Sequence, residues 1–205
     1  MARLLLRSVK TLTLTHPPSS RRSYLAFNDN LLRILSTEIT YFSDYHHPLT
    51  PPPTFRSFDI EDRPGEPWVR LRRDGVRIDA TMFDGVAPVP EEKRRVYEGE
   101  TRLHVSFVVE VTKGDEVLEF VCSAWPESMQ VERVFPMRRS AGITRPYMGR
   151  KFKYLPEDLQ KVMLDYLEEG GVDDELAMFL HQYMANKDKS EILRWMKKIE
   201  SFVKK

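Results

Sequence analysis

The amino-acid sequence predicts an α+β protein, in which one helix precedes an antiparallel sheet and two or three helices follow it. Between residues 68 and 135, apolar and polar residues alternate in several short runs that are separated by turn signals, without a helical run between them. On either side of this region, apolar residues recur every three or four positions, which is typical of amphipathic helices. Consecutive strands flanked by helices favour an α+β fold over a parallel α/β sheet.

Residues 1–24 have the composition of a peptide that directs a protein into an organelle. The segment contains arginines, is rich in Ser, Thr and Leu, and has no acidic residue, the first of which is Asp29. Arg22, Ser23 and Tyr24 resemble a cleavage site of the mitochondrial matrix peptidase, so we expect cleavage after Ser23 or Tyr24. We therefore predict a single mature domain at 25–205 in the mitochondrial matrix. The chloroplast stroma is the alternative, because plastid peptides share this composition.

The first helix is predicted at 28–45, where leucines and isoleucines form one apolar stripe. Three consecutive prolines at 51–53 then predict a stiff, extended linker. His46 and His47 lie between the helix and the linker. Because adjacent residues point in different directions and no partner with ligand spacing is nearby, we interpret them as solvated rather than as metal ligands.

The alternating region predicts six or seven strands in an antiparallel meander. Asp74-Gly75 and Lys113-Gly114-Asp115 are turn signals between neighbouring runs. The strands are expected at 69–71, 76–82, 103–111, 117–121, 129–135 and 149–154.

Helical periodicity over residues 156–203 predicts the C-terminal helices. Gly170 and Gly171 end the first of them, since glycine accepts the left-handed conformation of a helix end. Asp188 and Glu191 have the spacing of a capping box, which predicts a separate third helix from about residue 190. We expect three large residues on its apolar face to anchor it in the core or in contacts between subunits: Trp195, Ile199 and Phe202.

Charge is segregated in this part of the chain. Six basic residues follow one another without an intervening acid: Arg138, Arg139, Arg145, Arg150, Lys151 and Lys153. Residues 155–175 then have a net charge of −7 from one lysine and eight acids: Glu157, Asp158, Asp165, Glu168, Glu169, Asp173, Asp174 and Glu175. An acidic surface attracts basic proteins and a basic surface attracts nucleic acids, so each run is a candidate binding surface. An ordinary solvated surface is the alternative for both.

The sequence shows no pattern typical of an enzyme. A phosphate loop, a dinucleotide fingerprint, a zinc-type Cys/His set and a nucleophile elbow are all missing. The single cysteine, Cys122, lies in an apolar strand run, where we expect it to be buried. We therefore expect no catalytic residue, no metal and no cofactor. No apolar run reaches the roughly 18–20 residues that span a bilayer.

Four stretches carry a family resemblance: FVVEV with the KGD turn at 107–115, LEEGGVD at 167–173, the closing helix at 192–204 and the first helix at 31–39. In order and spacing they resemble the mitochondrial glycoprotein family, a group of acidic proteins of the mitochondrial matrix. The resemblance covers nearly all of residues 28–205.

The resemblance implies a highly twisted antiparallel sheet of about seven strands, flanked by the terminal helices, in a ring-shaped homotrimer. It also implies a non-enzymatic adaptor or chaperone that supports mitochondrial translation, ribosome assembly and oxidative phosphorylation. From the acidic helical faces we expect its partners to be basic proteins, with mitochondrial ribosomal proteins as candidates. RNA binding through residues 138–153 is the alternative function. Members of the family often carry long acidic loops, whereas the loop at 84–95 mixes acids and bases, so the charge of the ring stays open.

Overall fold

In this computed structural model, residues 19–88, 101–142 and 146–205 are described. The chain forms an α+β fold in which a seven-stranded antiparallel sheet follows one helix and precedes two, which confirms the predicted fold class. The strands pair in chain order, as a meander. The elements are α1 (Ser19–Tyr45), β1 (Thr54–Phe55), β2 (Phe58–Asp62), β3 (Trp68–Arg73), β4 (Val76–Pro88), β5 (Thr101–Lys113), β6 (Glu116–Trp125), β7 (Ser128–Arg138), α2 (Glu157–Glu169) and α3 (Asp174–Val203).

Two strands lie where the sequence predicted none, and one predicted strand is missing. β1 and β2 follow the proline linker, and β2 pairs with β3 through Ile60 and Leu71. β1 has only two residues, and β2 has a single short alternation at 58–61, which the sequence analysis missed. The predicted strand at 149–154 is wrong, because Phe152–Tyr154 forms a short 3-10 helix whose Phe152 is buried in the core.

The predicted third C-terminal helix is also wrong, since α3 continues for 30 residues without a break. Asp188 lies inside this helix and caps nothing. The Glu191 carboxylate does not accept the backbone N–H of Asp188, as a capping box would require. It accepts the backbone N–H of Gly65, 3.0 Å away in the loop between β2 and β3. Spacing alone suggested a helix start, whereas the carboxylate has a partner that is distant in sequence.

The core lies between one face of the sheet and α3. On the sheet it includes Leu71, Ile78 and Phe120, and on α3 it includes Leu180 and Met184, each almost completely buried. Apolar surface removed from water in this way is the main favourable contribution to folding. Cys122 belongs to the same core, as predicted, and burial raises the pKa of its thiol.

A glycine turn between α2 and α3 fixes the end of α2 against the sheet. Gly171 has a positive φ of 75°, and a Cβ there would lie 3.1 Å from the Arg73 guanidinium and 3.3 Å from the Phe58 ring. Arg73 in turn donates a hydrogen bond to the Gly170 carbonyl, and the Val172 N–H donates to the Leu167 carbonyl at 2.9 Å. The predicted end of the helix at Gly170 and Gly171 is confirmed.

Candidate protein-binding surface

α2 carries most of the predicted acidic surface, and it is held to the protein mainly at its ends. Within α2, all of whose residues are described, Leu167 is the one buried side chain. Met163 is half-buried against the core, whereas the rest of the predicted apolar stripe is exposed to solvent: Leu159 is 41% exposed, Val162 64% and Tyr166 36%. The helix therefore exposes both charged and apolar side chains.

The acids of α2 do not all lie on one stripe of the helix. Residues three or four positions apart share a helix face. Asp158, Asp165 and Glu169 therefore form one stripe, in which Val162 occupies the intervening position. Glu168 is offset from the centre of this stripe by roughly a quarter turn of the helix, and it lines a hollow of about 460 Å³ that also borders the start of α3. The five exposed carboxylates of α2 are those of Glu157, Asp158, Asp165, Glu168 and Glu169.

The three acids at the start of α3 have structural partners. The Asp173 carboxylate accepts the Leu176 N–H at 2.9 Å and caps the helix. Arg56 donates to Asp173 at 2.7 Å and also to Glu175, and these hydrogen bonds raise the pKa of the Arg56 guanidinium. The Asp174 carboxylate accepts the Met129 N–H at 2.8 Å, which joins α3 to the start of β7. These acids thus position α3, and part of their charge is already compensated.

The acids of α2 lack such partners. In the described part of the chain, none of the salt bridges involves the five exposed carboxylates of α2. Their negative charge is consequently uncompensated at the surface, where it acts through a field that salt screens. The eight predicted acids thus differ in their partners: the five on α2 are exposed and form no salt bridge within the described residues, whereas Asp173, Asp174 and Glu175 bind other parts of the fold.

The basic segment is not one continuous patch. Arg138 donates to Glu116 at 2.8 Å. Arg139 lies 3.4 Å from a Glu110 oxygen and donates to the Thr112 hydroxyl at 3.1 Å. The remaining members differ in position: Arg145 lies outside the described residues, Arg150 and Lys151 are exposed, and the Lys153 ammonium lies 5.3 Å from the centre of the exposed Tyr154 ring.

The end of α3 is more exposed than the sequence predicted. Trp195 is 62% exposed and Phe202 78% exposed, while Ile199 is half-buried. The prediction that Trp195 and Phe202 lie in the core is therefore wrong for the single chain. The two terminal helices pair with each other, since α1 packs against α3. Contacts of these residues with another subunit stay a prediction.

The described residues contain neither a candidate metal cluster nor a helix that could span a membrane. Among residues 19–88, 101–142 and 146–205, no three His, Cys, Asp or Glu side chains converge as metal ligands. No helix in these ranges combines the length and apolar character that crossing a membrane requires.

The fold resembles two solved structures from trypanosomatid parasites. The Trypanosoma brucei p22 protein matches with a TM-score of 0.68 and 20% identity, over 87% of this chain and 99% of that one. A Leishmania major protein of unknown function, described as a sequence homologue of human p32, matches with a TM-score of 0.63 and 16% identity, over 85% and 98%. At these identities the likeness shows a shared fold.

Sequence relatives come from a plant and a yeast. An uncharacterised mitochondrial protein of Arabidopsis thaliana is 29% identical over 154 residues, which are 71% of this chain and 62% of the relative. The chain thus spans less than two thirds of that relative's length. The mitochondrial acidic protein mam33 of Schizosaccharomyces pombe is 25% identical over 223 positions, 90% of this chain and 82% of the relative.

The profile of one family, described as mitochondrial glycoprotein, matches residues 46–203. This range contains the whole sheet, α2 and α3. Because the match covers most of the chain, the protein belongs to the mitochondrial glycoprotein family.

Proposed function

We propose that this protein is a non-enzymatic adaptor or chaperone of the mitochondrial matrix that binds basic proteins. The observation that carries the proposal is the set of five exposed carboxylates on α2, which are without salt bridges in the described part of the chain. Acids late in a helix are disfavoured by the helix dipole, so Asp165, Glu168 and Glu169 do not serve the helix itself. A Lys- or Arg-rich partner would compensate them.

Mitochondrial ribosomal proteins are the expected partners, because they are basic. The proposed role is to support mitochondrial translation, ribosome assembly and oxidative phosphorylation. Membership of the family, two relatives with mitochondrial names and the composition of residues 1–24 support a location in mitochondria. A reporter fused to residues 1–30 should enter mitochondria and lose the segment that ends near Ser23 or Tyr24. Import into plastids would instead assign the protein to the chloroplast stroma.

The proposed assembly is a homotrimer. Trp195 and Phe202 on α3, with Tyr41 and Tyr45 on α1, leave large apolar side chains exposed on the paired terminal helices. Exposed apolar patches of this kind mark contacts between proteins. A trimer would present the acidic helix three times, so a partner that reaches two copies would gain avidity. Light scattering should give about three times the mass of the mature chain, and the mass of one chain would contradict the assembly.

The binding proposal is tested by reversing charge on α2. The triple variant Asp165→Lys, Glu168→Lys, Glu169→Lys should keep the fold and the assembly, since all three side chains are exposed. It should capture basic ribosomal proteins from mitochondrial extract more weakly and with less dependence on salt. A matched control reverses the same number of exposed acids elsewhere: Asp44→Lys, Asp59→Lys and Asp74→Lys. Equal capture by both triple variants would remove α2 from the proposal.

RNA binding by residues 138–153 is the competing function. The salt bridges of Arg138 and Arg139 with acids of the sheet weigh against it, because they occupy two of the six cations. If the mature protein bound RNA with an affinity that falls steeply with salt, and Arg150→Glu with Lys151→Glu abolished binding, the RNA function would replace the adaptor function.

A further inference from the structure

An apolar groove separates the middle of α2 from the sheet. It has a volume of about 440 Å³. Its floor is formed by strand residues that include Val111, Leu118 and Phe120, and its roof by Leu159, Val162 and Tyr166 of α2. Past Val111 and Tyr166, the groove meets a second hollow of about 230 Å³, which Glu169 borders. We call the two together the α2 groove.

The α2 groove exists because α2 is fixed at its ends. Before the helix, Phe152 is buried in the core; after it, Val172 is buried, and Gly171 lies against Arg73 and Phe58. Between these points Met163 packs against the core, but Leu159, Val162 and Tyr166 remain exposed to water. These three side chains contribute little to folding, and an occupant that covers them would gain the free energy of burying them.

Negative charge borders the α2 groove. The stripe of Asp158, Asp165 and Glu169 runs beside Val162 along the roof helix. On the sheet side, Glu116 lines the groove, and its side chain is 66% exposed although Arg138 pairs with it. One cation, Lys113, also lines the groove, with its ammonium 5.7 Å from the centre of the Tyr166 ring. The groove is thus apolar inside and mainly acidic at its edge.

We infer that the α2 groove binds an amphipathic segment of a basic partner protein. The apolar side chains of this segment enter between α2 and the sheet, while the lysines or arginines of the segment face Asp165 and Glu169. The charge of the edge argues for this occupant, because a purely apolar ligand would leave the carboxylates uncompensated. Amphipathic helices bind to other proteins in the same way, with the apolar face in a groove. The inference rests on the proposed function, to which it adds that apolar residues of the partner determine affinity.

The experiment uses two fluorescent peptides of equal length and charge. One places leucines and lysines on opposite faces of a helix, and the other replaces every leucine with serine. Anisotropy titrations use the mature protein and the double variant Leu159→Gln, Val162→Gln, which removes apolar contacts without changing charge. Met178→Gln is the matched control, since Met178 is exposed to the same degree as Leu159 but does not line the groove.

The double variant should bind the leucine peptide about tenfold more weakly, the effect of losing part of one buried aliphatic side chain. Its affinity for the serine peptide should not change, and Met178→Gln should match the wild type. If both peptides bind the wild type equally well and the double variant equals the wild type, the groove inference is overturned and the adaptor proposal stands.

Two further outcomes are distinguishable. If neither peptide binds, the proposed function fails together with the inference. If the double variant has a smaller assembly mass than the wild type in light scattering, the groove holds a second copy of this chain, which also overturns the inference. Circular dichroism of the double variant should match the wild type, because both substituted side chains are exposed and glutamine is a good helix former.

Discussion

α2 and the first half of α3 have similar apolar stripes in the sequence, yet in the structure the stripe of α3 is buried and most of the stripe of α2 is exposed. α3 lies across β4, β5, β6 and β7 and buries Leu176, Leu180 and Met184 completely. α2 has one buried side chain, Leu167. The difference shows that periodicity specifies which side of a helix is apolar, whereas burial depends on what lies opposite that side.

The largest expected difference between the helices is in the free energy of unfolding after truncation. Leu180→Ala should cost about 2–5 kcal/mol, because it leaves a cavity in a closed core. Leu159→Ala should cost less than about 1 kcal/mol, since Leu159 is 41% exposed and water fills the space. Chemical denaturation of both variants measures the two costs. Equal costs would mean that α2 is packed as tightly as α3.

α3 also buries a charge, which sharpens the contrast with the solvated acids of α2. Lys187 is 4% exposed, its ammonium pairs with Asp62, and it donates to the Arg63 carbonyl at 3.2 Å. Asp62→Asn should cost about 3 kcal/mol, because the ammonium stays buried with only the more distant carboxylate of Glu191, 3.9 Å away, as a counter-charge. Adding Lys187→Met should restore part of the loss. A double variant as unstable as Asp62→Asn would show that the lysine is not the cause.

Glu191 on α3 should make the free energy of unfolding depend on pH. Burial opposes ionisation of Glu191, but Arg194, the Gly65 N–H and the charge of Lys187 outweigh it and lower the pKa below 4.5. Its stabilising effect is therefore complete above pH 4.5 and is lost as pH falls through the lowered value. Glu191→Gln should cost about 1 kcal/mol at pH 7.

The cost of Glu191→Gln should vanish in acid, as denaturation curves between pH 7 and pH 3 can show. Glu168→Gln is the control, and it should leave the free energy of unfolding nearly unchanged at pH 7 because Glu168 is exposed. A cost of Glu191→Gln that persists at the lowest pH would point to lost packing rather than to a lost charge.

The smallest effect on the fold is expected at the far end of α3. Phe202 is 78% exposed, so Phe202→Ala should change the free energy of unfolding of a separate chain by less than about 0.5 kcal/mol. The cost of about 3–5 kcal/mol that applies to a buried phenylalanine is not expected there. In the proposed trimer the same variant should instead shift the assembly towards smaller masses, which light scattering at several concentrations would detect.

Several features followed from the sequence because they depend on local chemistry. The strands at 69–71, 76–82 and 103–111 were predictable from alternation, and each lies within an observed strand. Gly170 and Gly171 end α2 because glycine accepts conformations that other residues avoid. The burial of Cys122 followed from its apolar neighbours. Family membership, too, could be predicted from the order of four short stretches.

Other features required the tertiary structure because they depend on partners that are distant along the chain. In the sequence, Asp173, Asp174 and Glu175 look like the acids of α2. In the structure, Arg56 donates to Asp173 and Glu175, and the Met129 N–H donates to Asp174. α3 continues without a break at the predicted capping box, and the Glu191 carboxylate accepts the backbone N–H of Gly65 instead. Which residues are apolar, and with what period, follows from the sequence alone. Which apolar helix face is buried depends on whether the sheet lies opposite it. α3 lies over the strands and is buried, whereas α2 is held at its ends and keeps a groove open.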